Sequence, residues 1–136
     1  MYREGGVFVA NAEVDETFVV RQKERLEQLR DELVRIQRGM REDEQDRSEE
    51  QGDTTLDSGD QSQRMFDREM DASIGEQSGR RLEEVERALE KIEEGTYGLS
   101  DESGEQIPKG RLEAAPEAVR TVDEQQSFER ERRPPV

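Results

Sequence analysis

Two pairs of small polar or acidic side chains, Ser100/Ser103 and Thr121/Glu124, sit in a turn-rich stretch near the C-terminus, each pair separated by two residues. That is the spacing of cysteines that chelate a metal across a tight turn. Here the chain has no Cys and no His anywhere. Structural zinc needs soft thiolates or imidazoles, and two serine hydroxyls, a threonine and one carboxylate do not supply them. The expectation is a metal-free module without cofactor, held by apolar packing and hydrogen bonds. An all-oxygen calcium site through Asp101, Glu102, Asp123 and Glu124 is the lesser alternative. A second constellation is Asp57/Asp60, inside the stretch QGDTTLDSGDQS, which reads as a turn. A carboxylate pair performs acid–base chemistry where apolar walls shift a pKa. No such walls flank this turn, and no phosphate-cradling glycine loop is present, so no enzyme is expected.

The elements that must position these groups follow from composition and period. Only 29% of residues are hydrophobic while 42% are charged, which suits long helices burying one narrow stripe better than a compact globule. From Glu16 onward, Val19, Leu26, Leu29, Leu33, Ile36 and Met40 recur at heptad-compatible steps on a charged background. A second helix is predicted from about Ser62 to Glu94, with Phe66, Met70, Ile74, Leu82, Val85, Leu89 and Ile92 as its stripe and a weak middle from Gly75 to Gly79. Gly95 stands where a C-terminal glycine stops it. At about 1.5 Å per residue both helices have nearly equal length, so folding back near Leu56 buries both stripes at once. The fold expected is mainly α: residues 1–15 as a flexible arm, 16–94 as an antiparallel two-helix coiled-coil hairpin with an acidic tip near 52–61, and 95–136 as a small module ending in a helix that opens at Pro116. A monomer is favoured, with a parallel dimer through the first helix as the rival.

The stretch ALEKIEEGTYGLSDESGEQIPKGRLEAAPEAVRTVDEQQ resembles the C-terminal signature of the DksA/TraR family, densely from Ala88 to Gln125. Matching residues are Gly95, Thr96, Tyr97, Gly98, Gly104, Ile107, Arg111, Leu112, Glu113, Ala114 and Pro116. The resemblance implies a helical hairpin, then a C4 zinc finger, then a terminal helix. Its four ligand places fall on Ser100, Ser103, Thr121 and Glu124, so zinc is implied by the resemblance alone and is unsupported by the ligands. The family acts on bacterial RNA polymerase, its hairpin tip entering the secondary channel. The family's Asp-x-x-Asp-x-Ala tip aligns with Asp57, Asp60 and, in place of alanine, Ser62. Arg111 is expected to tie the module to the hairpin through Glu93 or Glu94.

A net charge of -15, from 21 basic and 36 acidic residues, repels nucleic acid and anionic membrane over most of the surface. Arg80, Arg81, Arg130, Arg132 and Arg133 are interspersed with acids, which reads as helix charge balance rather than a DNA surface. No stretch has the length of a membrane span or signal peptide, so the cytoplasm is expected. The functional expectation is a cytoplasmic, non-catalytic transcription regulator that binds RNA polymerase through Asp57 and Asp60. The alternative is a structural or adaptor protein that keeps the hairpin and has lost polymerase control.

Overall fold

The computed structural model describes residues 11–50 and 58–132, with side chains described over 11–42 and 62–132. Four helices follow in order: α1 (Glu16–Glu50), α2 (Ser58–Glu94), α3 (Lys109–Ala114) and α4 (Val122–Arg132). The protein is mainly helical, and α1 and α2 form the two arms of an antiparallel hairpin. Asp57 lies outside the described residues; Asp60 falls in the first turn of α2, its side chain likewise outside them.

Contacts divide the chain into two compact units: the residues up to Leu29 together with those from Glu84 onward, and Arg30–Glu83. In the Arg30–Glu83 unit the helices meet through small residues. Gln37 Nε2 donates to the Gly75 carbonyl at 2.9 Å, and a Cβ built on Gly75 would stand 3.2 Å from Met40 Sδ. Ser78 is buried, as is Leu33 on the other helix. The seam of α2 therefore runs through Gly75 and Ser78, which the sequence presents as a weak middle. This corrects the expected stripe. Phe66, Met70 and Ile74 are exposed at 56%, 48% and 43%, and Ile36 at 41%, because they stand one position off the close-approach line. Here Met40 of α1 meets a residue of α2 that has no side chain.

The other unit holds a conventional core. Val19 and Leu26 of α1, Val85, Ala88 and Ile92 of α2, and Tyr97, Ile107, Leu112, Ala118 and Val119 beyond are all buried. Each large side chain among them stabilises the fold by about 1.5–3 kcal/mol. Gln22 fills the seven-residue gap between Val19 and Leu26 and is 2% exposed. Its Nε2 donates to Tyr97 Oη at 3.0 Å and to the Leu112 carbonyl at 2.7 Å, and its Oε1 accepts from Arg25. Asn11–Asp15, assigned by sequence to a loose arm, are tied down. Asn11 is 1% exposed, and its Nδ2 donates to the carbonyls of Gly98 at 2.9 Å and Ile107 at 2.8 Å. Such side chain-to-backbone bonds leave no trace in a hydrophobic period.

Candidate functional site

The module after α2 is built on turns whose backbone demands are visible residue by residue. Gly95, at φ 80°, closes a Schellman motif: its N–H donates to the Ile92 carbonyl at 3.2 Å and that of Thr96 to Lys91 at 2.8 Å. A short antiparallel bridge then pairs Leu99 with Gln106, and Ser100 N–H reaches the Glu105 carbonyl at 2.8 Å. Gly104, at φ 75°, turns this knuckle. Gly98, at φ 90°, cannot carry a side chain, since a Cβ there would lie 3.0 Å from Asn11. Buried Tyr97 donates its hydroxyl to the Pro116 carbonyl at 2.9 Å, and burial pushes that hydroxyl up to about 12. The chain then forms α3, with Leu112 buried on it.

Helix α4 does not open at Pro116, contrary to the sequence expectation. Pro116 sits in a buried turn, its carbonyl occupied by Tyr97, and the helix starts at Val122. Thr121 and Glu124 supply the start signal as a reciprocal capping box. Thr121 N–H donates to Glu124 Oε1 at 2.8 Å, and Glu124 N–H donates to Thr121 Oγ1 at 3.3 Å. The T-x-x-E pattern was available in the sequence but hidden behind its reading as a ligand pair.

The four ligand positions of the sequence reading come together, through hydrogen bonds. Ser100 Oγ accepts from the N–H groups of Glu102 at 3.0 Å and Ser103 at 3.2 Å, closing the first knuckle. The same hydroxyl donates to Glu124 Oε1 at 2.7 Å. The Thr121 N–H first, then the Ser100 hydroxyl, with smaller help from the Ser103 and Thr121 hydroxyls, holds the Glu124 carboxyl down to about 2. This donor set does not fit zinc: it offers one carboxylate, with Oε1 already accepting two hydrogen bonds, and three neutral hydroxyls. Among the described residues no group of three or more His, Cys, Asp or Glu is arranged to hold a metal. Three of the four carboxylates of the calcium alternative are engaged by donors of the chain itself. Asp101 is taken by Arg87 and Lys91, Glu102 by Arg120, and Glu124 by Ser100 and Thr121.

The link from the module back to α2 differs from the one expected of Arg111. Arg111 Nε donates to the Arg120 carbonyl at 2.9 Å, while Glu93 pairs with Lys23 at 3.8 Å and Glu94 with Arg87 at 3.1 Å. Asp101 makes the link instead. Arg87 meets it in a two-pronged pair at 2.9 and 3.0 Å, and buried Lys91 reaches it at 2.8 Å. Burial pushes the Asp101 carboxyl up, but Arg87 and then Lys91 outweigh it and leave it lowered. Phe128 of α4 carries two guanidinium groups against its ring, Arg120 at 3.8 Å and Arg132 at 4.3 Å from the centroid. Among the described residues no helix is long and apolar enough to cross a membrane.

Comparison with known proteins agrees with this geometry. Residues 95–130 match the prokaryotic dksA/traR C4-type zinc finger. General stress protein 16O of Bacillus subtilis is 46% identical over 63 residues, covering 46% of this chain and 39% of that protein. The RNA polymerase-binding transcription factor DksA of Caulobacter vibrioides is 34% identical over 67 residues, covering 49% and 47%. The chain thus spans less than half the length of these curated relatives. Solved structures match further. Transcription factor DksA2 from Pseudomonas aeruginosa superposes with a TM-score of 0.64 at 26% identity, over 88% of this chain and 89% of that one. An RNA polymerase binding protein and transcriptional regulator from Chlamydia trachomatis does so with 0.54 at 28%, over 86% and 93%. The finger of this chain is thus similar in sequence to the dksA/traR finger over residues 95–130, and its helical hairpin is similar in fold to the DksA-type regulators, while the chain has none of the four finger cysteines.

Proposed function

We propose that this protein is a non-catalytic regulator of bacterial transcription that binds RNA polymerase through its helical hairpin, in the compartment where the polymerase works. The observation that carries this reading is the joint match of hairpin and finger, in the same order, to structures of transcription regulators over most of the chain. A finger alone is compatible with many roles; hairpin and finger together narrow them. Asp57, which falls in the sequence between α1 and α2, and Asp60, in the first turn of α2, are the residues proposed to contact the polymerase, delivered into its secondary channel. A carboxylate cluster is drawn toward cationic or metal-bearing surfaces, and salt screens that attraction.

The test is a binding titration of the purified chain against core RNA polymerase, with run-off transcription alongside. Capture at low salt, weakening as salt rises, is expected. Asp57→Ala with Asp60→Ala should leave the finger intact and remove the transcriptional effect. No capture at low salt would overturn the proposal. Capture with no transcriptional effect from either protein would favour an adaptor that keeps the hairpin alone.

A further inference from the structure

The two knuckles of the finger meet through the Asp101 N–H on the Val119 carbonyl at 2.9 Å, through the Arg120–Glu102 pair at 3.1 Å, and, at the four ligand positions themselves, on one carboxylate oxygen. Glu124 Oε1 accepts from the Ser100 hydroxyl of the first knuckle at 2.7 Å and from the Thr121 N–H of the second at 2.8 Å. We propose that the Glu124 carboxylate takes the place of a metal as the centre that couples the two knuckles, with the sign of the charge inverted. A C4 finger surrounds a dication with thiolates. Here a monoanion is surrounded by hydrogen-bond donors: the Ser100 hydroxyl, the Thr121 amide and, more weakly, the hydroxyls of Ser103 and Thr121. Charge-assisted bonds of this kind are about twice as strong as neutral ones.

Hydrogen-bond inventory makes the coupling specific. A serine hydroxyl has one proton and two lone pairs. Ser100 uses its lone pairs on the Glu102 and Ser103 amides and commits its proton to Glu124, so it shapes its own knuckle and docks it in the same act. The other nearby acids are committed elsewhere, Asp101 to Arg87 and Lys91 and Glu102 to Arg120. Asp123, exposed in the same turn of α4, accepts from neither Ser100 nor Thr121. With no cysteine in the chain, closure of the module answers neither to zinc supply nor to thiol oxidation. This inference stands apart from the polymerase reading.

Amide hydrogen exchange on the full chain tests it, through reciprocity. Ser100→Ala, which leaves α4 chemically untouched, should speed exchange at Gln125 in the first turn of α4 roughly tenfold, about what losing one such bond costs. Glu124→Ala should do the same at Glu102, Ser103 and Gly104. Glu124→Gln keeps a neutral acceptor and should give a smaller change of the same pattern, which covers the case in which the alanine variants unfold. Asp123→Asn should change nothing in the first knuckle. A chelator or equimolar zinc should leave the wild-type pattern unaltered. Effects confined to the knuckle that carries the substitution would overturn the proposal, reducing Glu124 to a helix cap; so would a zinc-induced gain in protection.

Discussion

Replacing Asn11 by Ala tests whether the N-terminal segment belongs to the module. Asn11 gives two hydrogen bonds, to Gly98 O at 2.9 Å and Ile107 O at 2.8 Å, and accepts one from Glu13 N–H at 2.8 Å. The Gly98 carbonyl keeps a second donor, the Ile107 N–H at 2.8 Å, so its loss is partial. The Ile107 carbonyl loses the Asn11 amide in a place where Ile107 itself is fully buried. A hydrogen bond contributes about 1 kcal/mol net, and a stranded buried acceptor costs about 1–3 kcal/mol. The sum expected is about 2–4 kcal/mol, a large fraction of the stability of a small domain. The chain has no Trp, and its two tyrosines are Tyr2 and Tyr97, so tyrosine fluorescence in a Tyr2→Phe background reports this unit alone. With a urea dependence of about 1 kcal/mol per molar, the midpoint should fall by about 2 M or more. A shift corresponding to less than about 0.5 kcal/mol, the size of a neutral surface change, would refute the docking of Asn11 and with it the account of why Gly98 is a glycine.

Gly98→Ala should destabilise the same unit by at least about 1 kcal/mol, because φ is 90° and the new Cβ meets Asn11 at 3.0 Å; the same fluorescence titration reads it. Gly39→Ala, by contrast, puts a methyl into open space in the middle of α1 and should stabilise the helix by up to about 1 kcal/mol on thermal melting by circular dichroism. Acid should loosen the finger through Glu124. Its folded carboxyl is held near 2 against an ordinary 4.5, so the unfolded chain takes up the proton first; the stabilisation is complete above 4.5 and is lost as pH falls toward 2. Stability followed by exchange at Gln125 should show that slope in the wild type and lose it in Glu124→Gln. Finally, Lys91→Met should weaken the tie between α2 and the module by leaving Asp101 to Arg87 alone, a loss of about 1–3 kcal/mol visible in urea unfolding.

Where burial followed heptad spacing, the hairpin was legible in the sequence: Val19, Leu26, Leu33, Val85 and Ile92 are all buried. It was illegible where Met40 of α1 meets Gly75 of α2, a residue with no side chain. A hydropathy stripe drawn through Phe66, Met70 and Ile74 follows the largest residues, whereas the helices approach along Gly75 and Ser78, which carry no hydrophobic signal. Gln22 was passed over for a related reason. A polar residue at a heptad core position reads as a gap, and only its partners, Tyr97 and the Leu112 carbonyl, explain its burial. At the finger, the glycines were readable because a left-handed φ leaves few alternatives. Partner identity was not: the tie expected of Arg111 falls to Asp101, and nothing along the chain distinguishes Asp101 from the acids around it.

The survival of both x2 spacings without a thiol has a backbone explanation. A residue and the third one after it face each other across any tight turn, whatever joins them. Ser100 turns its side chain onto the amides two and three residues ahead, while Thr121 and Glu124 exchange bonds with each other's N–H groups. Metal chelation, a serine turn and a capping box are three chemistries for one local geometry. Spacing therefore testifies to the fold, and donor type to the metal, and the two can part company. That is why a chain can match a C4 zinc finger from 95 to 130 while its own side chains specify a metal-free closure. The substitutions are also mutually consistent. An acid at position 124 alone would face no donor from the first knuckle, and a hydroxyl at 100 alone would have no acceptor in the second. The pairing of Ser100 with Glu124 restores both at once, as a neutral donor and an anion rather than four anions awaiting a cation.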